Sequence, residues 1–262
     1  MTSPIPNPTP GRRLDGVVCV ITGAARGIGL AIAERLGAEG GRLACLDISQ
    51  RRLAPAVQAL GEAGLQARGY PADVGLRADV SRVFAAIEAD FGAPIGVLVN
   101  NAVWVRFQAL DQIDEADLDR MLAVGLKGLV WTLQAAAPQM QRRGGGSVIN
   151  LSSVGAHYPQ AGSMAYAALK AGVVGLTRAA AVELSPSRIR VNAVLPGMVG
   201  TAASLAQFDA ATLAAREAAM PLGRFGREHD IAAAVAYLAS DDASYVQGSS
   251  LVVDGGWTVG RL

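Results

Sequence analysis

The sequence predicts an α/β protein, a single domain built on a doubly wound sheet of seven mainly parallel strands with helices on both faces. Three observations predict it. Short β-rich apolar runs alternate with longer stretches of helical period, which is the pattern of βα units. A glycine-rich turn follows the first of these runs and opens a helix. The 262 residues are 51% hydrophobic, enough to bury one sizeable core.

Each element has its own local reason. Val17 to Ile21, Arg42 to Asp47, Gln66 to Tyr70, Val97 to Val99, Ser147 to Leu151, Arg190 to Leu195 and Leu251 to Val253 read as strands, too short and too β-rich for helices. Helices are expected near Gly27 to Ala38, Gln50 to Ala63, Leu76 to Phe91, Asp114 to Arg142, Ser163 to Leu184 and Glu228 to Ala239. Gly144 to Gly146 reads as a helix stop before the fifth strand. Residues 1–13, rich in proline, read as a loose tail, and residues 14–262 as the one dinucleotide-binding and catalytic domain. A stretch at about residues 198–226 has helical signals but no strand, and is expected to be a substrate lid.

Composition narrows the function. A formal net charge of +1, with charges scattered rather than in runs, offers no field for steering onto nucleic acid. No run reaches the roughly 18 apolar residues of a bilayer span, and no secretory signal is visible, so no membrane partner and a cytoplasmic location are expected. Cys19 and Cys45 lie in two separate apolar strands and fit a reduced compartment, and His157 and His229 are too isolated for a metal site.

The first strand leads into Thr22-Gly23-Ala24-Ala25-Arg26-Gly27-Ile28-Gly29. Glycines in such a turn permit positive φ and let the backbone approach a pyrophosphate, with helix N-terminal amides aimed at the anion. A tight structural turn is the bland alternative. The second strand ends at Asp47, about 20 residues beyond the glycines, where an acid meets the adenosine ribose and disfavours a 2′-phosphate, so NAD is expected over NADP. Asp47 could also be a simple helix cap, and Arg26, Arg51 or Arg52 could blunt the preference. Asp73, followed by Val74, is placed to accept from the adenine amino group or, more simply, to cap a helix.

In the second half Ser153 follows the fifth strand, and Tyr166 and Lys170 stand four residues apart on one helix face. A phenol titrates near 10, so acid/base work near neutrality calls for a nearby cation, here Lys170, while Ser153 holds the substrate oxygen. The Tyr/Lys spacing is weak by itself; its company strengthens it. From about Gly11 onward the chain resembles the short-chain dehydrogenase/reductase family. The resemblance rests on the Thr22 to Gly29 turn, Asn100-Asn101-Ala102, Ser153, Tyr166 with Lys170, Pro196-Gly197 with Thr201, and Asp254-Gly255-Gly256.

That resemblance implies a Rossmann fold and an oxidoreductase acting on CH–OH groups, an alcohol dehydrogenase or ketone reductase. It implies Tyr166 as acid/base, Lys170 as the group that lowers its pKa and holds the nicotinamide ribose, and Ser153 as the group that polarises the substrate oxygen. It sets Asn100 behind the adenosine, Ala102 beside it, and Pro196, Gly197, Val199 and Thr201 against the nicotinamide amide and phosphates. It also implies a homotetramer or homodimer formed through the two long helices. Two departures stand out. Val103 and Trp104 follow Asn-Asn-Ala where the family has Gly, and Gly125 stands where members carry an Asn that helps relay protons to the lysine. Restoring that Asn is expected to raise the rate or leave it unchanged.

Trp104, His157, Tyr158, Met198 and Phe208 are expected as pocket walls, with His157 more simply a solvated loop residue. Their apolar character favours a neutral or weakly polar alcohol or ketone. Two other readings compete with hydride transfer: a dinucleotide-binding sensor or weakly active scaffold, and an isomerase or lyase that uses NAD without net turnover.

Overall fold

The computed structural model describes residues 12–206 and 208–260. Its sheet has seven parallel strands among these residues: β1 Val18–Thr22, β2 Arg42–Asp47, β3 Ala67–Pro71, β4 Ile95–Asn100, β5 Gly146–Leu151, β6 Ile189–Pro196 and β7 Ser250–Val253. Their order is β3-β2-β1-β4-β5-β6-β7, and every pairing is parallel. The chain moves outward one way through β2 and β3, then returns to pair β4 with the other edge of β1. That reversal opens a crevice at the carboxyl ends of β1 and β4, where a doubly wound sheet binds its ligand.

The strands read as unbroken apolar runs because both faces are covered: every residue of β1 and β4 is buried. Helices α1 Gly27–Ala38, α2 Gln50–Glu62, α3 Arg77–Phe91, α4 Glu115–Leu122, α5 Gly128–Arg143, α6 Met164–Leu184, α7 Ala202–Leu205, α8 Ala210–Ala218 and α9 Glu228–Ala239 complete the layers. On one face Ile32 and Leu36 of α1 meet Ile231 and Val235 of α9; on the other, Phe84 and Ile87 of α3 meet Met140 of α5. Each such side chain contributes about 1.5–3 kcal/mol by burial.

The structure changes three expectations and gives a fourth, the lid, its elements. The long helix expected from Asp114 to Arg142 is interrupted by one wide π-helical turn, Ala123–Lys127, which separates α4 from α5 and contains Gly125. The segment expected as a lid folds into α7 and α8, and its two ends are joined where Val199 bridges Gly226. Most of the expected tail lies outside the described residues, but Arg13 is held by Glu39, at 2.6 and 2.7 Å, and by Asp242 at 2.8 Å. Finally, Met164–Ser187 is long and apolar enough to cross a membrane by length and composition, with a mean hydropathy of 1.2. Here it is a core helix that packs Leu169, Val173, Val174 and Thr177 inward.

Candidate active site

The crevice is built first by the turn after β1. Thr22 ends that strand, and its Oγ1 accepts from the backbone N–H groups of Asn101 and Ala102 at 3.0 Å. Asn101 Nδ2 donates back to the Thr22 and Gly23 carbonyls at 2.9 and 3.2 Å. This lashing draws the turn so tight that a Cβ at residue 29 would lie 2.1 Å from the Gly23 carbonyl oxygen, so only glycine fits. Gly27 is glycine for a different reason: φ is +55°, and the nearest atom to a Cβ would be Thr201 Cγ2 at 3.9 Å. Arg26 precedes α1 in extended conformation without capping it, so the first-turn amides, Ile28 among them, are left for an acceptor from outside.

Asp47 is nine-tenths buried at the end of β2. Its Oδ1 accepts from Ser49 N–H at 2.9 Å and from Arg52 at 3.3 Å. The glycine cradle, the uncapped helix and this carboxylate on the adjacent strand fit a nicotinamide dinucleotide lying over the crevice.

Two of the expected cofactor residues also brace the protein's own frame. The carboxylate of Asp73 accepts from Gly75 N–H at 2.9 Å and from Arg120 at 2.8 Å, tying the loop of Asp73 and Val74 to α4. Asn100, expected behind the adenosine, places its side chain in a buried chain of hydrogen bonds. Thr132 donates to Asn100 Oδ1, Asn100 to Asn150, Asn150 to Thr177, and Thr177 to the Val173 carbonyl, all at 2.8–3.0 Å. The signal for this was present: an asparagine stands at or next to the end of each of two apolar strands, and such groups are buried only when paired.

At the carboxyl end of β5, Ser153 Oγ accepts from Gly155 N–H at 3.0 Å and faces the same cleft as Tyr166. Burial pushes the Tyr166 phenol above its ordinary value, and Ser153 draws it partly back. Lys170 Nζ donates to the Leu151 carbonyl at 2.7 Å, and Ser152 Oγ donates to the Lys170 carbonyl at 2.8 Å, pinning this turn of α6 to the strand end. Burial lowers the Lys170 ammonium to about 8. Its Nζ stands 5.9 Å from the Tyr166 ring centroid, so in the protein alone the lysine is engaged by a backbone carbonyl and does not offset the effect of burial on the phenol.

Ser153 and Tyr166 open onto a cleft of about 830 Å³. Of the expected walls, Tyr158, Met198 and Phe208 line it, whereas Trp104 packs against the apolar layer beneath α3 and α5, and His157 is exposed on its loop. Reading the sequence missed Phe107, whose ring lies 5.2 Å from that of Tyr166, and Trp257, 6.4 Å from Tyr158. Trp257 was findable, since it directly follows Asp254-Gly255-Gly256, where Asp254 accepts from Gly256 and Thr258 to fold the chain back. Pro196 ends β6, and Gly197 and Val199 carry the chain from there along the cleft to Thr201 opposite Gly27. A separate cavity of about 520 Å³, lined by Arg13, Arg143, Arg188 and Arg190, lies at the other end of the strands.

Comparison with known proteins agrees with this geometry. A family model described as enoyl-(acyl carrier protein) reductase matches residues 23–258. The chain is 38% identical over 248 residues to D-threitol dehydrogenase of Mycolicibacterium smegmatis, covering 94% of this chain and 95% of that one. It is 38% identical over 250 residues to the 3-oxoacyl-(acyl-carrier-protein) reductase FabG of Thermotoga maritima, covering 94% and 100%. The crystal structure of levodione reductase superposes with a TM-score of 0.89 at 35% identity, covering 94% of this chain and 99% of that one.

Proposed function

Given that the chain belongs to the short-chain dehydrogenase/reductase family and is an oxidoreductase acting on CH–OH groups, we propose that it exchanges hydride between NAD(H) and a secondary alcohol or its ketone, with Tyr166 as acid/base. The observation that carries this reading is the meeting of Ser153 and Tyr166 on the wall of one cleft, with Lys170 buried one helical turn away.

Gly23, Gly27 and Gly29, with the α1 amides, would hold the pyrophosphate, Asp47 the adenosine ribose, and the Pro196 to Thr201 segment the nicotinamide end. When bound, the nicotinamide supplies or accepts the hydride. Tyr166 gives its proton to the carbonyl oxygen in reduction and takes it back in oxidation, while Ser153 holds the same oxygen. The side chain of Lys170 lies beneath the phenol, within a short movement of the ring face, where its charge favours phenolate. The segment bearing α7 and α8 closes over the cleft as a lid. NAD is favoured over NADP because a 2′-phosphate would meet buried Asp47, although Arg52 beside it softens the repulsion. A cytoplasmic homotetramer is the matching assembly, formed through α5 and α6.

The test is absorbance of reduced nicotinamide with NAD and NADP in parallel against a panel of secondary, cyclic and sugar alcohols and the corresponding ketones. Turnover that falls at least about 100-fold in Tyr166→Phe, with nucleotide binding retained, is expected. Nucleotide binding without turnover of any member would favour the sensor reading.

A further inference from the structure

Among the described residues that line the cleft, one side chain is charged. It is that of Arg216 of α8, set against Phe107, Tyr158, Met198, Met220 and other uncharged groups. Its guanidinium carbon lies 4.1 Å from the centroid of the Phe208 ring, another wall of the cleft, so the cation is stacked on an aromatic face. No ion pair is made by Arg216 among the described residues. The neighbouring acids are engaged elsewhere: Glu217 accepts from Phe225 N–H, and Asp209 caps the start of α8 by accepting from Thr212 N–H at 2.7 Å.

A half-buried guanidinium has five donors in a planar fork that matches a carboxylate, sulfonate or phosphate. Stacking on Phe208 holds the plane of that fork and restricts the side chain, so less entropy is lost when an anion docks. The rest of the lining is apolar or hydroxylic, suited to a carbon chain between the reacting carbinol and the charged end. We infer that Arg216 is a specificity-determining residue, and that the substrate is a secondary alcohol or ketone bearing an anionic group at its far end. The inference rests on the cleft being the substrate site proposed above, and it departs from the expectation of a neutral substrate.

The experiment uses full-length enzyme and methyl ketones of increasing chain length, each carrying a terminal carboxylate and each paired with its methyl ester. Wild type is expected to favour the acid over its ester by about ten-fold or more in kcat/KM at the best length, mostly through KM, with the advantage shrinking as salt is added. Arg216→Gln should bring the ratio to within about two-fold, and Arg216→Lys should keep part of it. Equal use of acid and ester by wild type, or an unchanged ratio in Arg216→Gln, overturns the inference.

If no compound is turned over, the proposed activity fails separately. Binding then decides the question, read from Trp257 fluorescence with NAD present and with circular dichroism as a fold check. Acid bound more tightly than ester by wild type but not by Arg216→Gln sustains an anion subsite, whereas equal or absent binding removes it.

Discussion

The Leu169 side chain fills the space that a side chain on Gly125 would need: a Cβ there would stand 2.7 Å from Leu169 Cδ2 and 3.1 Å from Cδ1. Gly125 lies in the wide turn between α4 and α5, and Leu169, 1% exposed, directly precedes Lys170. The missing side chain and the large neighbour are therefore one packing solution. The expectation for Gly125→Asn concerned rate alone, and this packing adds a cost in stability. That variant should lose about 1–3 kcal/mol by overpacking, and Leu169→Ala about 2–5 kcal/mol through its cavity. The double variant should lose clearly less than the sum, as a double-mutant cycle in urea would show.

Lys170 gives the protein a pH signature. Its folded-state pKa of about 8 lies below the ordinary 10.5, so between these values the unfolded chain binds more protons than the folded one. The Lys170 contribution to stability should therefore rise from about pH 8 toward 10.5 and be absent below 8. It is opposed above about pH 9 by Cys19 and Cys45, whose thiols burial pushes up to about 12, so the slope is read as the difference between wild type and a Lys170 variant. Lys170→Met should remove this slope and raise stability at neutral pH by up to a few kcal/mol, while abolishing turnover. Urea midpoints of both proteins across that range, without nucleotide, provide the check.

Asp47 controls the choice of nucleotide. Asp47→Ser removes the buried charge and leaves Arg52 without its partner, so NADP affinity should rise and NAD affinity fall, changing their ratio by about ten-fold or more. Titration of each nucleotide by fluorescence measures this directly, with no substrate needed.

Gly29→Ala should be among the most damaging single-methyl changes in the chain. The added carbon would meet the Gly23 carbonyl at 2.1 Å, and the lashing by Asn101 prevents the turn from opening. A loss of about 3 kcal/mol or more is expected, with dinucleotide binding lost in whatever protein folds. By contrast Gly61→Ala, which meets nothing within 4 Å on exposed α2, should preserve or slightly raise the melting temperature.

What the sequence determined by itself is the scaffold and the chemistry mounted on it. Arg42–Asp47, Gly27–Ala38 and Glu228–Ala239 have the expected boundaries, because strand burial and helix period are local and repeat every few residues. Ser153, Tyr166 and Lys170 were legible because one strand end and one helical turn place them, with no distant contact required. The tertiary structure alone decided what those side chains meet. Asn100 is buried and therefore paired, with Asn150, while Asp73 is held by Arg120 nearer the surface, and these partners lie 50 and 47 residues away in sequence. Gly125 acquired its meaning from Leu169, and Arg216 became a wall of the cleft only when α8 folded back toward Tyr166. Such pairings depend on packing across layers, which no local period records.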